Sequence, residues 1–226
     1  MSYLIVVAHP DDEVLGAGAT IHKLVKKGET VDVCILSADA EARNGRPDSE
    51  TLRSDAAQCM NILGVRRLYA APFPNIQLNC VPHLKLVQFI EQAMLDSGAE
   101  KIITHHPSDL NNDHHCVSLA CQAATRLFQR REGVVPIDEL WFMEVPSSTD
   151  WALNRGANGF EPNVFVEIGQ DGLEAKLQAL AAYRGVMRDF PHPRSAEAIR
   201  GLAAVRGAQA GETYAEAFQC VFRRER

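Results

Sequence analysis

A cluster of charged residues stands directly behind the first apolar segment of the chain. That segment, Tyr3–Ala8, is rich in aliphatic and β-branched residues, which predicts a buried strand. One histidine and three carboxylates follow it at once, within His9-Pro10-Asp11-Asp12-Glu13. In α/β proteins, ligands bind at the edge where strands end and the chain turns into helices. The cluster therefore predicts a divalent metal at that edge, with a catalytic base beside it.

Strand-like and helix-like segments alternate through the first two thirds of the chain, the last of these helices being expected over Asp113–Arg130. Such alternation predicts an α/β fold with a Rossmann-like, mainly parallel sheet and helices on both faces. The last third is different, with helices expected over Leu173–Arg188 and Ser195–Arg206 and a final strand over Tyr214–Phe222. We expect one domain over residues 1–226, with a core over residues 1–150 and a C-terminal elaboration over residues 151–226.

Composition narrows the classes of partner. The net charge is −6, and an acidic balance argues against a broad phosphate-binding surface, so we expect no nucleic-acid partner. No segment approaches the roughly 18 apolar residues that a membrane span requires. The N-terminus lacks the basic start of a signal peptide. We therefore expect a cytoplasmic protein without a membrane span.

A second polar cluster follows the predicted strand Lys101–Thr104. The stretch Thr104–His115 contains four of the chain's eight histidines. Because right-handed crossovers bring successive strand ends to one edge of the sheet, this stretch should lie near the first cluster. His9 and Asp12 are three positions apart on a turn that starts a helix, so both can reach one point. A catalytic zinc usually takes three protein ligands, and we expect the third from the second cluster.

The two clusters together resemble the PIG-L (LmbE-like) family of metal-dependent N-deacetylases. The first motif of the resemblance is Ala8-His9-Pro10-Asp11-Asp12-Glu13. Later motifs resemble a bacterial branch found in sugar-modifying pathways: Phe73-Pro74-Asn75, Thr104-His105-His106, Asp109-Leu110-Asn111-x-Asp113-His114, and Arg206-Gly207 with Ala215-Glu216-x-Phe218. The resemblance covers most of the chain and implies a single LmbE-like deacetylase domain.

The resemblance implies roles for individual residues. His9, Asp12 and His114 match the metal ligands of the family, and Asp11 matches its general base. Asp113 matches the carboxylate that supports the active-site histidines, although Glu13 is also available to accept a histidine N–H. The implied activity is zinc-dependent removal of an N-acetyl group from a small amino-sugar-containing substrate, by metal-activated water. Relatives are often multimers, so the resemblance allows a homo-oligomer, but the sequence does not give the oligomeric state.

Several alternatives remain open. Two histidines and one aspartate accept Fe²⁺ or Co²⁺ as well as Zn²⁺. The substrate is either an amino sugar or a non-sugar acyl-amine, such as a thiol conjugate. A nucleotide-binding protein without hydrolytic chemistry would need G-x-G-x-x-G after the first strand, where this chain has carboxylates. The last alternative is a metal-binding protein without catalysis.

One position departs from the family pattern. Many relatives carry a histidine three positions before the third ligand, where it stabilises the tetrahedral oxyanion, and this chain has Asn111 there. Asparagine can donate a hydrogen bond but cannot act as a general acid. His106 and His192 are candidates to substitute for the missing histidine, or else they are surface or structural residues. His192 lies in the stiff segment Pro191-His192-Pro193-Arg194, which is suited to holding a side chain in place.

Three residues are candidates to bind substrate: Arg53, Asn75 and Arg194. The family often uses an arginine near the position of Arg53, and Asn75 stands where relatives usually have aspartate. Arg194 and Arg206 are expected either to bind an anionic group, such as a nucleotide diphosphate, or to pair with acidic neighbours.

Two further pairs of residues each have two interpretations. Trp141 and Trp151 flank a loop near a strand end, where a ring would either stack on a sugar or pack in the core. Gly16 and Gly18 follow the metal turn, where they favour close packing of the first helix on the sheet. A phosphate cradle would need a fuller glycine pattern.

Overall fold

The computed structural model describes residues 1–38, 49–153 and 159–225. Within these ranges the strands are β1 Ser2–Val7, β2 Thr30–Ile35, β3 Arg67–Ala70, β4 Lys101–His105, β5 Glu139–Met143, β6 Val164–Glu167 and β7 Ala215–Arg223. The helices are α1 Asp12–Lys26, α2 Ser49–Leu63, α3 His83–Ser97, α4 Asn112–Ala124, α5 Gly169–Ala182 and α6 Ala196–Ala210. Short 3₁₀ turns span Leu78–Cys80 and Leu127–Gln129.

All seven strands form one sheet in the order β3-β2-β1-β4-β5-β7-β6. The strands β1 to β5 are parallel, whereas β7 runs antiparallel to both β5 and β6. The predicted α/β fold with a mainly parallel sheet is confirmed. Since β1 pairs with β2 on one side and with β4 on the other, the strand order reverses between β1 and β4. Ligands of open α/β sheets bind at such a reversal, outside the carboxyl ends of the strands.

Side chains of β1 point alternately into two cores, one on each face of the sheet. Ile5 and Val7 lie in the core that also holds buried residues of α1, α2 and α5. Leu4 and Val6 lie in the opposite core, with buried residues of α3 and α4. A strand that is buried on both faces has no polar side to alternate with, which explains the continuous apolar run at the start of the sequence.

The close approach of α1 to β5 depends on a glycine. A Cβ atom at Gly16 would overlap Sδ of Met143. The close-packing interpretation of Gly16 therefore agrees with the structure. Because α1 begins at the metal turn, this contact fixes where the turn lies above the sheet.

Three predicted helices have different ends in the structure. The helix expected over Ser195–Arg206 is α6, which continues to Ala210. The helix expected over Asp113–Arg130 ends at Ala124, where the Thr125 hydroxyl donates to the Gln122 carbonyl, 2.8 Å away. The helix expected over Leu173–Arg188 is α5, which begins four residues earlier and ends at Ala182. It ends there because Tyr183 adopts an extended backbone and its side chain is buried. In the described part of the chain, no helix is both long enough and apolar enough to cross a bilayer.

Candidate metal centre and catalytic cavity

The turn between β1 and α1 carries two neighbouring aspartates, Asp11 and Asp12, which stabilise it in different ways. The amides of Val14 and Leu15 donate to the carbonyl of Asp11, which starts the helix. Asp11 itself has φ of 111°, a positive value that a non-glycine residue rarely adopts. The Asp12 carboxylate accepts from the His9 amide at 2.9 Å and so closes the turn. The strained backbone at Asp11 is typical of a functional position.

The structure brings together the three predicted metal ligands, His9, Asp12 and His114, and all of them are buried. We call these three residues the metal group. Oδ2 of Asp12 lies 3.3 Å from Nδ1 of His9 and 3.1 Å from Nε2 of His114. Ligand atoms about 2.0–2.1 Å from a tetrahedral zinc ion stand about 3.3 Å apart, so these separations fit one ion. Nε2 of His114 forms no hydrogen bond among the described residues, so its lone pair is available to an ion once the ring loses its proton. The donor set and its spacing therefore fit a divalent metal.

Each of the two ligand histidines has a carboxylate at its other ring nitrogen. Oδ2 of Asp113 lies 3.0 Å from Nε2 of His9, and the same side chain accepts from the amides of Ile76 and Leu78. Oδ2 of Asp109 lies 3.1 Å from Nδ1 of His114. Such contacts fix the tautomer and orientation of a metal-binding imidazole.

Asp113 was predicted to support the histidines, whereas Asp109 was not. Asp109 lies in the same motif, four positions before Asp113, and that proximity was the available signal. Its other partners are the hydroxyls of Ser148 and Thr149, which follow β5. Glu13, the other candidate for supporting a histidine, instead accepts from the Asp11 amide.

The electrostatics of the group favour a cation. Burial lowers the pKa of His114, but Asp12 and Asp109 outweigh it and raise that pKa to about 10. Burial likewise opposes ionisation of Asp12, yet the neighbouring histidines hold the pKa of Asp12 well below its usual range. Positive charge at this position is therefore strongly stabilised, as a metal site requires.

His105 lies behind the metal group as a neutral ring. Its Nε2 accepts from the Ala8 amide at 2.9 Å, and its ring stacks on His114 with centroids 3.8 Å apart. Burial and the nearby His114 lower the pKa of His105 to about 3. The ring thus links the end of β4 to the end of β1 and packs against a predicted ligand. His105 lies in one of the motifs of the family resemblance, but no role was predicted for it.

The Glu13 carboxylate stabilises the turn between β1 and α1 and accepts two hydrogen bonds. The Asp11 amide donates to Oε2 of Glu13 at 3.1 Å, and the Tyr183 hydroxyl donates to Oε1 at 2.7 Å. Burial raises the pKa of Glu13 to about 8, although the hydrogen bond from Tyr183 opposes this. Tyr183 comes from the end of α5, far along the sequence, and no sequence signal pointed to it.

A cavity of about 400 Å³ opens beside this group. Arg194 lines the cavity, and its guanidinium donates to Oδ2 of Asp11 at 3.1 Å and to the Ser147 hydroxyl at 2.7 Å. Asn111 lines it too, and its side-chain oxygen caps α4 by accepting from the Asp113 amide at 2.9 Å. The cavity wall therefore contacts the predicted base through Arg194 and includes the N-terminus of the helix that carries His114.

His192 lines the same cavity. Its Nδ1 accepts from the Arg194 amide at 3.0 Å, so the proton of a neutral ring is on Nε2. Burial, Arg194 and Arg188 lower the pKa of His192, which favours that neutral form. Trp151 contacts His192 edge-on, with ring centroids 5.6 Å apart, and is 44% exposed. Trp151 is therefore a cavity residue, whereas Trp141 is buried in the core.

Other predicted site residues lie elsewhere. His106 borders a separate cavity, where its ring packs against Phe142 and Phe160. Arg53 is exposed on α2 and is absent from the described residues that line the cavity beside Arg194. Asn75 is buried, next to the Ile76 amide that binds Asp113, and it does not line that cavity either.

Comparison with known proteins places the chain in a family. The family model described as PIG-L, GlcNAc-PI de-N-acetylase, matches residues 4–125, which is more than half of the chain. The chain belongs to the PIG-L family. The matched part includes β1 to β4 and reaches past α4, and so contains all three predicted metal ligands.

Two curated relatives of this PIG-L protein are named as deacetylases. The uncharacterized deacetylase YaiS of Escherichia coli K12 is 25% identical over 187 residues, covering 80% of this chain and 89% of YaiS. The diacetylchitobiose deacetylase of Thermococcus kodakarensis is 24% identical over 241 residues, covering 96% of this chain and 82% of the relative. The likeness to both extends well beyond the part that the family model matches.

Solved structures share the fold over nearly the whole chain. The conserved protein TT1542 from Thermus thermophilus has a TM-score of 0.79 at 24% identity, covering 99% of this chain and 96% of its own. The N,N'-diacetylchitobiose deacetylase of Pyrococcus horikoshii has a TM-score of 0.78 at 18% identity, with coverage of 97% and 83%. GalB, a 4-carboxy-2-hydroxymuconate hydratase from Pseudomonas putida KT2440, has a TM-score of 0.76 at 22% identity, with coverage of 100% and 98%. One fold thus occurs in deacetylases and in a hydratase.

Proposed function

We propose that this protein is a metal-dependent N-deacetylase that hydrolyses the N-acetyl group of an amino-sugar-containing substrate. The observation that carries the proposal is the position of Asp11 beside the His9, Asp12 and His114 group, next to an open cavity. Membership of a family described by a de-N-acetylase supports the same reaction.

His9, Asp12 and His114 would hold the ion. Two imidazole nitrogens and one carboxylate oxygen suit zinc, with ferrous iron and cobalt as the alternatives. When bound, the ion supplies Lewis-acid polarisation of the amide carbonyl and lowers the pKa of water. Asp113 and Asp109 accept hydrogen bonds from Nε2 of His9 and Nδ1 of His114, which leaves the lone pairs of Nδ1 of His9 and Nε2 of His114 to bind the ion.

Asp11 moves the proton. Its carboxylate accepts a proton from the attacking water and delivers it to the amide nitrogen as the carbon–nitrogen bond breaks, which releases acetate and a free amine. The Arg194 guanidinium, 3.1 Å from Oδ2 of Asp11, fixes the direction of that carboxylate. The hydrogen bond from the Asp11 amide to Glu13 fixes the backbone of the same residue.

His192 and Asn111 are the groups available to bind the oxyanion. Both line the cavity, and the Nε2–H of a neutral His192 is a donor that its own backbone contacts leave unused. Asn111 uses its side-chain oxygen as a helix cap, so its amide NH₂ is left to donate. His106, which borders a different cavity, is not included in this proposal.

The sugar assignment rests on the cavity and on the relatives. The exposed ring of Trp151 and the hydroxyl of Ser147 offer the stacking surface and polar contacts that suit a sugar. A diacetylchitobiose deacetylase is among the relatives. Roles for Arg53 and Asn75 in substrate binding stay predictions, as does a homo-oligomer. The alternative is an amidase that acts on a non-sugar acyl-amine or thiol conjugate.

The test is acetate release from a panel of N-acetyl amino sugars and their nucleotide conjugates. Protein stripped with a chelator is reloaded with Zn²⁺, Fe²⁺ or Co²⁺, and Asp11→Asn is the control. We expect release that the substitution abolishes while bound metal, measured by mass spectrometry, is unchanged. Equal rates for both proteins would overturn the role of Asp11. Metal binding without acetate from any compound would contradict the sugar deacetylase and favour another amide, the water addition of a hydratase, or a catalytically silent protein.

A further inference from the structure

Three arginines in and around the cavity differ in their partners. Arg206 is bound by Glu144 through Nε at 2.7 Å and Nη2 at 2.6 Å, so its charge is already balanced. Arg194 is bound by Asp11. Arg188 lines the cavity and is exposed, and no carboxylate among the described residues pairs with its guanidinium.

The backbone ties Arg188 to the reaction site. Its amide donates to the carbonyl of Arg194 at 3.4 Å, so the two arginines project from adjoining backbone of one wall. Its charge also reaches His192, whose pKa is lowered by burial first, then by Arg194 and by Arg188. Asp150 acts on His192 in the opposite sense and is the weaker influence. This wall of the cavity therefore has an excess of positive charge.

Other residues that line the cavity are apolar and exposed. Ile76, Leu110 and Trp151 are apolar and are 42%, 61% and 44% exposed. A ligand that fills the cavity would meet an apolar surface and a cationic one. An unpaired guanidinium in a cavity is suited to a carboxylate or a phosphate, which it can bind with two parallel hydrogen bonds.

The geometry points to Arg188 as a specificity residue that binds an anionic group, a carboxylate or a phosphate, on the acylated substrate. This inference rests on the proposed deacetylase function and adds a substrate class to it. Arg188 binds the anionic group while Asp11 and the metal group act on the amide. The substrate therefore carries its anionic group and its N-acetyl group at separate positions.

The test compares kcat/KM for acetate release from three compounds. N-acetylglucosamine is neutral, N-acetylglucosamine 1-phosphate carries a phosphate, and N-acetylmuramic acid carries a carboxylate. In Arg188→Gln, we expect the ratio of the anionic to the neutral compound to fall at least about tenfold for one of the two anions, since a charge-assisted hydrogen bond is lost. The anion that loses more identifies the group. Arg131→Gln, which removes an exposed arginine that does not line the cavity, should leave both ratios unchanged.

A binding measurement separates this inference from the proposed reaction. Calorimetry of the metal-loaded protein with glucosamine, glucosamine 1-phosphate and muramic acid requires no hydrolysis. We expect Arg188→Gln to weaken binding of one anionic amino sugar about tenfold or more relative to glucosamine. If no acetate is released but this loss is observed, the reaction is wrong and the anion site stands. Unchanged ratios and unchanged binding in Arg188→Gln would overturn the inference.

Discussion

Replacing Asp109 with asparagine tests whether the metal group depends on a residue beyond its three ligands. Asp109 is buried, and its Oδ2 lies 3.1 Å from Nδ1 of His114. Its remaining hydrogen bonds come from Ser148, Thr149 and the Asn111 amide. Asparagine has nearly the same shape and keeps one acceptor oxygen, so the change removes mainly the charge.

The size of the effect follows from that single contact. A hydrogen bond to a charged group is worth about 1.5–3 kcal/mol. At about 1.4 kcal/mol for each factor of ten, its loss corresponds to roughly 10- to 150-fold in affinity. Because asparagine retains part of the bond, we expect zinc affinity to fall about 10- to 100-fold, the range typical for partners of metal-binding histidines.

The assay is competition for zinc against a chromophoric chelator of known affinity. Asp96→Asn serves as the matched control, since Asp96 is exposed on α3 and its carboxylate accepts a hydrogen bond from Gln92. Circular dichroism of both variants without metal checks that the fold is kept. Zinc affinity of folded Asp109→Asn equal to that of the wild type would refute the reasoning, because the carboxylate would then have no influence on His114 as a ligand.

Three other predictions follow from particular contacts. His192→Ala should lower kcat about 10²–10³-fold in steady-state acetate release, as loss of an oxyanion donor does, while KM changes little. Asp55→Asn should lower the free energy of unfolding at pH 7 by about 1–2 kcal/mol in urea titrations, because Asp55 is buried against the largely exposed Arg184. Burial opposes the shift, but Arg184 lowers the pKa of Asp55, so this stability is present above the ordinary pKa and is lost as pH falls through the lowered one. Gly16→Ala should lower the urea midpoint through a clash with Met143 that costs about 1–3 kcal/mol.

Each of these predictions has a matched control. His83→Ala removes an exposed histidine on α3, and a loss of kcat equal to that of His192→Ala would exclude a specific role for His192. A stability difference between wild type and Asp55→Asn that persists unchanged at pH 2 would contradict the ion-pair explanation. Gly201 has open space around its Cβ position, so Gly201→Ala should stabilise α6 by roughly 0.5–1 kcal/mol, opposite in sign to Gly16→Ala.

The sheet could be predicted because its cause is local. The run Tyr3–Ala8 is short, apolar throughout and rich in β-branched residues, which is typical of a strand that is buried on both faces. The right-handed rule for crossovers then orders the strand ends. Helix ends were predicted less well, because they depend on distant contacts. The α5 helix ends at Ala182 because Tyr183 turns inward to reach Glu13, a partner 170 residues away in sequence.

The sequence also predicted that His9 and Asp12 meet a third ligand from the cluster after β4, and the family resemblance named His114 as that ligand. Two of the residues share one turn, and the third follows a strand whose end meets the same edge of the sheet. The contacts of the residues around these ligands could not be predicted from the sequence, because their partners lie far along the chain. Asp109 acquires its role from Ser148 and Thr149 beyond β5, and Asp11 is held by Arg194, 183 residues away.

Periodicity and short spacings express local geometry, so they predicted the sheet and the approach of His9 and Asp12 to one point, whereas the choice of His114 came from the family resemblance. The cavity that His192 and Trp151 line, and that His106 and Trp141 do not, could be recognised only once the distant segments were packed together. The tertiary structure also decided that Arg188 has no carboxylate partner among the described residues, whereas Arg206 is paired with Glu144. The physical reason is that burial and pairing of a side chain depend on which distant segments pack around it, and the identity of the residue does not encode that.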